Sequence, residues 1–101
     1  MPNAVEYVTF TLKKGVSISN FLLASEKMNS GFLHAQKGYV SRQLLADGDT
    51  WADWILWETM EDALSAAEAF GRGVADRAYA SFIENWVMRH FTVKQSFMDG
   101  R

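Results

Sequence analysis

The chain alternates between short apolar runs and amphipathic stretches, which predicts four strands and two helical regions. Four runs are rich in β-branched and aromatic residues and are bounded by glycine or polar residues, as is typical of strands. These runs cover residues 5–12, 39–46, 50–58 and 88–97. After the first run, apolar residues recur from Ile18 at spacings of three, four and seven. This spacing predicts an amphipathic helix with Ser17 as its N-cap and its end between Gly31 and Gly38.

The second helical region lies between the third and fourth predicted strands. Thr59 with Asp62 three residues later is typical of a helix N-terminus. An alanine-rich helix is predicted from Met60 to about Gly71, and residues 75–86 are predicted to form a second helical piece. Residues 98–101 are predicted to be a frayed tail. The order β-α-β-β-α-β predicts a single α+β domain over residues 1–101, with a ferredoxin-like, four-stranded antiparallel sheet.

The turn between the second and third strands sets their register. Asp47-Gly48-Asp49 separates the two runs, and an Asp-Gly pair in this position is typical of a hairpin. If Asp47-Gly48 is the turn, Arg42 lies opposite Asp53. If Gly48-Asp49 is the turn, Asp53 lies opposite Leu44 and meets Arg42 only diagonally. Both registers place Arg42 and Asp53 on one face.

The third strand is apolar on both faces, whereas a sheet with helices on one side needs only one apolar face. Trp51, Ile55 and Trp57 alternate with Trp54 and Leu56. A second subunit that covers the bare face is the simplest explanation. We therefore predict a homodimer closed into a dimeric α/β barrel, and two-fold dimers are also the commonest oligomers.

Strand alternation then predicts which side chains face the barrel interior. Val8, Phe10 and Leu12 suit the helix side of the first strand, and Phe91 and Val93 suit that of the last strand. The interior face is predicted to hold a cavity lined by His90, Arg42, Asp53, Tyr7, Thr9, Trp51 and Trp57.

Composition narrows the possible partners. The chain is 49% hydrophobic and 14% aromatic, which favours a ligand pocket or an oligomer interface but also fits a well-filled core. A net charge of −2 without a basic cluster predicts no nucleic-acid partner. No apolar run approaches the ~20 residues that span a bilayer, and no leader pattern is present, so we expect a cytoplasmic protein without a membrane partner.

The same inventory argues against a metal or a bound cofactor. Cysteine is absent, so thiolate ligands and cysteine nucleophiles are excluded. The two histidines lack the spacing of a metal site, and His34 is expected to lie on the surface near a helix end. The glycines are scattered, and no phosphate-binding loop is predicted. We therefore expect no cofactor and no metal.

The predicted cavity offers three candidate catalytic residues. His90 titrates near neutrality and can act as a general base or acid. Arg42 can hold an anionic or enolate oxygen, and Asp53 can orient His90. Tyr7, Thr9, Trp51 and Trp57 are the predicted ligand-binding residues. The alternatives are that these polar residues form a satisfied structural network, or that they bind a ligand without catalysis.

Several short motifs also carry a family resemblance over nearly the whole chain. Residues 38–42 (GYVSR), 51–58 (WADWILWE), Asp62-Ala63, 8–12 (VTFTL) with Gly15-Val16, and 88–91 (MRHF) resemble the antibiotic biosynthesis monooxygenase-like families of the dimeric α/β barrel superfamily.

The resemblance implies a homodimer that binds a small apolar or aromatic molecule, and it allows cofactor-independent oxygenation. Isomerases, dehydratases and proteins of unknown role share this shape, so a non-catalytic binding or regulatory module is the alternative. The haem-degrading branch ligates its haem through a histidine on the second helical region. Residues 60–86 contain no histidine, so the resemblance does not extend to that ligand.

Overall fold

A computed structural model describes residues 2–97. Its elements follow in chain order, and they are four strands, three α-helices and one 3₁₀ turn: β1 (Ala4–Leu12), α1 (Ile18–Gly31), the 3₁₀ turn (Leu33–Ala35), β2 (Tyr39–Asp47), β3 (Thr50–Trp57), α2 (Met60–Ala69), α3 (Val74–Ala80) and β4 (Ile83–Thr92). The predicted tail at 98–101 lies outside the described residues. No helix within 2–97 is long and apolar enough to cross a membrane.

The four strands form one antiparallel sheet in the order β2-β3-β1-β4, with the helices on one face. This is the predicted ferredoxin-like topology, and α2 and α3 together replace its second helix. Both predicted N-caps are confirmed, since the hydroxyls of Ser17 and Thr59 accept hydrogen bonds from the backbone N–H of Asn20 and Asp62.

The hairpin takes the second of the two predicted registers. Asp47 pairs with Thr50, and Leu44 pairs with Asp53. The turn is therefore Gly48-Asp49, and within it a positive φ occurs at Gly48 (61°) but not at Asp49. Glycine at the first central position is the type II′ arrangement, whose twist suits a two-residue hairpin.

The predicted boundary between the second helical region and the last strand was wrong. The helix ends at Ala80 and β4 begins at Ile83, five residues before the predicted start at Met88. Residues 82–87 contain four apolar residues that fit a helix pattern and a strand pattern equally. The sheet decides between them, because Ile83 pairs with Leu12 at the end of β1.

The predicted assignment of sheet faces was correct for β1 and wrong for the other strands. Val8, Phe10 and Leu12 pack toward the helices as predicted. However, Ile55 and Trp57 belong to the same core, so their face of β3 is the helix side and not the barrel interior. Alternation alone could not choose between two apolar faces of one strand.

Strand register extends this correction to Arg42, Asp53 and His90. One row of neighbours across the helix-facing side runs Arg42, Ile55, Glu6 and His90 from β2 to β4. The opposite face carries the alternate rows, including Tyr7 and Thr9 on β1. The predicted cavity residues are therefore divided between the two faces of the sheet.

The loop between α2 and α3 is held by the carboxylate of Asp76. It accepts hydrogen bonds from the backbone N–H groups of Gly71, Arg72 and Gly73 at 2.6, 3.1 and 3.2 Å. This carboxyl is nearly inaccessible to solvent, and burial alone would raise its pKa. The hydrogen bonds outweigh that cause and lower the pKa below its usual value. The loop is thereby fixed at the place where it borders the cavity described next.

Candidate functional site

A cavity of about 310 Å³ lies between the helix-facing side of the sheet and the helices. This volume is at the lower end of the range for ligand pockets, which is roughly 300–1,000 Å³. Its walls are mainly apolar, and all three helices and three of the strands contribute to them. The lining residues that carry the argument are Glu6, Asp53, Trp57, Tyr79, Trp86 and Met88.

One side of the cavity is bounded by a buried ionic network. The Nε of Arg42 donates to Oδ1 of Asp53 at 2.7 Å, and the hydroxyl of Tyr79 donates to Oδ2 at 2.6 Å. The remaining guanidinium nitrogens donate to the Ser25 carbonyl (3.3 Å), to Oδ1 of Asn29 (3.5 Å) and to the Tyr79 hydroxyl (3.2 Å). Both partners of the ion pair are therefore hydrogen-bonded beyond their mutual contact, as a buried pair requires.

This network fixes the charge states of its members. Burial lowers the pKa of Arg42, but Asp53 and Tyr79 together outweigh that effect and raise it, so the guanidinium stays charged. Burial and the negative charge of Asp53 raise the pKa of Tyr79 far above its ordinary value, so its hydroxyl stays protonated. Four of the five N–H groups of Arg42 therefore have partners within the described chain, and Arg42 does not line the cavity.

The residue that sequence reasoning missed is Glu6. It lies in the middle of β1, it is only 7% exposed, and its side chain lines the cavity. Its carboxyl accepts no hydrogen bond of ordinary geometry from a described residue, and His90 is its ion-pair contact. Its nearest ionisable neighbour across the strands is His90, whose Nε2 lies 3.5 Å from Oε1.

The environment of Glu6 moves its titration to neutrality. Burial, and secondarily the negative charge of Asp53, raise its pKa to about 7, while the interaction of the carboxyl with the indole N–H of Trp57 lowers it. Burial lowers the pKa of His90, so this imidazole is neutral at pH 7. A carboxyl group that titrates near the working pH is suited to general acid–base chemistry.

The indole N–H of Trp57 is a second polar group with an unmet hydrogen bond. Trp57 is fully buried and lines the cavity, and Nε1 has no partner within hydrogen-bond geometry. Trp57 pairs with Ala4 and Glu6 pairs with Ile55, so the two side chains are diagonal neighbours on one face. The N–H is close enough to the Glu6 carboxyl to lower its pKa, but their contact falls outside hydrogen-bond geometry. A buried donor without a partner is costly, and a ligand oxygen could relieve that cost.

The predicted site residues lie in different parts of the fold. Asp53 and Trp57 line the cavity, and Asp53 contacts Arg42 as predicted. His90 adjoins Glu6 but does not line the cavity, and two strands separate it from Arg42, a distance of roughly 14 Å. The remaining three predicted ligand-binding residues lie elsewhere: Trp51 packs against Phe21 (5.2 Å between ring centroids), and Tyr7 and Thr9 lie on the opposite face of the sheet.

A sequence signal for Glu6 was present. Glu6, Val8 and Phe10 alternate along β1, so the assignment of Val8 and Phe10 to the helix side carries Glu6 with it. A carboxylate in a row of core positions is rare unless it is paired or functional. His90 does not lie in a row of predicted core positions, so strand alternation does not mark it in this way.

No family model matches the chain, and no curated protein matches it in sequence. Solved structures do match. SnoaB, a cofactor-independent oxygenase from Streptomyces nogalater, superposes with a TM-score of 0.76 at 16% identity, over 95% of this chain and 97% of SnoaB.

Two further structures span nearly the whole chain. A Bacillus cereus protein provisionally named an antibiotic biosynthesis monooxygenase matches with a TM-score of 0.62 at 20% identity, over 100% of both chains. The heme-degrader MhuD from Mycobacterium tuberculosis, solved with two hemes in its active site, matches with a TM-score of 0.65 at 16% identity, over 94% and 99%. The chain shares their fold. At these identities the likeness concerns the fold alone.

The buried network of Arg42, Asp53 and Tyr79 predicts a large loss of stability when one partner is removed. Asp53→Asn should lower the free energy of unfolding by about 3–5 kcal/mol, because it leaves the Arg42 cation buried without a counter-charge. Tyr79→Phe, which removes one hydroxyl, should cost about 1–2 kcal/mol. Urea denaturation at one protein concentration measures both. The exposed Asp47→Asn is the matched control, and an Asp53→Asn variant as stable as that control would contradict the network's role.

The raised pKa of Glu6 predicts a specific dependence of stability on pH. The folded protein holds this proton to about pH 7, whereas the unfolded chain releases it near 4.5. The stabilisation that protonated Glu6 contributes is therefore complete below pH 4.5 and is lost as the pH rises through 7. Relative to wild type, Glu6→Gln should gain on the order of 3 kcal/mol between pH 4.5 and pH 8.

Denaturation curves of wild type and Glu6→Gln at both pH values provide the measurement, since other titrations cancel in the difference. The exposed Glu61→Gln should show no such trend. Equal pH profiles for wild type and Glu6→Gln would mean that the Glu6 carboxyl titrates normally.

Proposed function

We propose that the cavity binds a small aromatic molecule with a weakly acidic O–H or C–H group, and that Glu6 removes that proton. The observation that carries this proposal is the buried carboxyl of Glu6 in an apolar cavity, with His90 3.5 Å away and the unpartnered N–H of Trp57 beside it. Apolar walls with a few convergent polar groups are typical of ligand sites. The aromatic side chains of Trp57, Trp86 and Tyr79 suit a flat ligand.

In this proposal each polar group has one task. The carboxylate of Glu6 accepts the proton, and the electron pair of the broken bond stays on the ligand. The N–H of Trp57 donates to the oxygen on which negative charge develops, in the manner of an oxyanion hole. His90 faces Glu6 from β4 and stabilises its ionised form when it donates from Nε2. Arg42 and Asp53 serve the fold, and Asp53 also keeps the pKa of Glu6 high.

Cofactor-independent oxygenation is the reaction class that we favour for this site. An electron-rich carbanion or phenolate can itself reduce molecular oxygen, so the protein needs to supply only the base, the oxyanion donor and a water-poor cavity. For a methylene between two aryl rings, R₂CH₂ and O₂ give R₂C=O and H₂O, with no other reductant. SnoaB, a cofactor-independent oxygenase of the same fold, supports this choice.

A non-catalytic binding module is the second candidate, and one observation favours it. Asp53 is paired with Arg42, and neither Arg42 nor His90 lines the cavity, so Glu6 is the one carboxyl of the described lining that is left for chemistry. Under this alternative, ligands bind and no reaction follows.

Anthrone, which enolises and carries one such methylene, tests the proposal. We expect binding to quench tryptophan fluorescence and wild type to consume one O₂ per anthrone, as followed with an oxygen electrode. Glu6→Gln should bind anthrone but lose at least about a hundredfold in rate, since general-base catalysis contributes roughly 10²–10⁴. Glu61→Gln is the matched control. Binding with no oxygen uptake above the background would favour the binding module, and no binding would refute the ligand site.

The homodimer is proposed for the face opposite the cavity. That face carries Tyr7, Trp54 and Leu56 near its centre, and on the outer strand β4 Val87 is 58% and Phe91 is 42% exposed. Arg89 lies between these two residues, and its guanidinium stacks on the ring of Phe91. Exposed apolar residues grouped on one face usually mark an interface. A second copy of the chain placed on it would bury these residues and close the barrel.

Sedimentation velocity tests this arrangement. Wild type should sediment as a species of twice the chain mass, and Val87→Glu with Phe91→Glu should shift it to the monomer. Val74→Glu, on the helical layer where the side chain is 79% exposed, should leave the dimer intact. A wild-type monomer at micromolar concentration would refute the dimer.

A further inference from the structure

We propose that the cavity selects its ligand by charge, accepting the neutral form of a weak acid and excluding anions, so that negative charge arises only after binding. This inference rests on the proposed function of the cavity as a ligand site. It concerns which protonation state enters, and it holds whether or not a reaction follows.

The charge of the lining carries the first step. Glu6 and Asp53 are its ionisable acidic side chains, and no lysine, arginine or histidine of residues 2–97 lines the cavity. The nearest cation is Arg42, whose guanidinium is already committed to Asp53, Tyr79, Asn29 and the Ser25 carbonyl. An incoming anion would therefore meet carboxyl groups and find no free positive charge.

The cost of that encounter is large in an apolar enclosure. An unpaired charge that leaves water for such a site loses its hydration without compensation. Glu6 can reduce the repulsion only by taking up a proton, which becomes progressively harder above neutral pH. An anionic ligand is accordingly disfavoured most under alkaline conditions.

A neutral hydroxyl fits the Glu6 carboxyl and the Trp57 N–H better than an anion or a cation does. It can donate to the Glu6 carboxylate and accept from the Trp57 N–H at the same time. An ammonium group only donates, so it could pair with Glu6 but would leave the Trp57 N–H without a partner. The cavity thus offers one acceptor and one donor, which a neutral hydroxyl matches.

Charge then appears inside the cavity. When Glu6 takes the proton, the ligand O–H bond breaks, its electron pair remains on the oxygen, and the carboxylate becomes a carboxylic acid. The number of charges in the cavity does not change. The new anion accepts hydrogen bonds from the Glu6 O–H and from the Trp57 N–H, so it is stabilised where it forms.

A matched ligand series tests the inference: 2-naphthol is neutral, 2-naphthoate is anionic and 2-naphthylmethylammonium is cationic at pH 8. Dissociation constants would be measured by isothermal titration calorimetry with wild type, Glu6→Gln and the control Glu61→Gln. We expect wild type to bind 2-naphthol at least about tenfold more tightly than either charged ligand. Glu6→Gln should tighten 2-naphthoate binding by about tenfold, and lowering the pH to 5.5 should tighten it in wild type as well.

The outcomes separate this inference from the proposed function. Tight binding of 2-naphthoate to wild type at pH 8, or no gain from Glu6→Gln and low pH, would overturn charge selection and leave the ligand site standing. Tighter binding of the ammonium would replace it with a cation site. Failure of all three ligands to bind, with every variant folded by circular dichroism, would overturn the ligand site itself and the inference with it.

Discussion

The buried contact between Arg42 and Asp53 fixes how the sheet meets its helices. Through Ser25 and Asn29 the guanidinium reaches α1, and through Tyr79 it reaches α3. A residue of β2 thereby joins three other elements. Two charges that are only 6% and 7% exposed need close hydrogen-bonding partners to be stable together. That requirement places the helices over this end of the sheet and defines one wall of the cavity.

The same network limits what the cavity can do. Because Asp53 and Arg42 satisfy each other, the wall that they form presents little unmet polarity. The unmet polarity lies one pair further along the sheet, at Glu6 and Trp57. Asp53 still acts on Glu6 through its charge, which adds to burial in raising the pKa of that carboxyl. The network thus changes the pKa of Glu6 through the charge of Asp53, although both Asp53 oxygens are already hydrogen-bonded.

Element order, both helix caps, the Arg42–Asp53 contact and the helix side of β1 could be predicted from the sequence, because each depends on local spacing. The faces of β3 and β4 could not. Tryptophan occurs on both faces of β3, and Phe91 suggested a core position that belongs to the open face. The helix-facing core itself holds Arg42, Asp53 and Glu6, so apolar side chains alone do not mark the helix side of each strand. Only the register of all four strands resolves this.

The start of β4 depends on a similar tertiary effect. Pairing with β1 shifts between Thr9 and Thr11, where Asn85 takes a positive φ of 56°. Asparagine tolerates this conformation better than most residues, and its side chain donates to the Thr11 hydroxyl at 3.0 Å. The extra residue of such a bulge re-aims its neighbours. Here it places Ile83 opposite Leu12, while Trp86 shares the face of Met88 and lines the cavity although it is 62% exposed.

Trp86 is the exposed aromatic residue of the cavity lining, and its position relative to Glu6 can be estimated from β4. Trp86 precedes His90 by four residues on β4, a separation of roughly 13 Å along the strand, and His90 lies opposite Glu6. The exposed tryptophan and the Glu6 carboxyl both line the cavity and are therefore well separated along it. A ligand that enters beside Trp86 must cross an apolar passage before its polar group reaches Glu6 and Trp57. A neutral molecule can make that passage without losing a hydration shell that the walls do not replace.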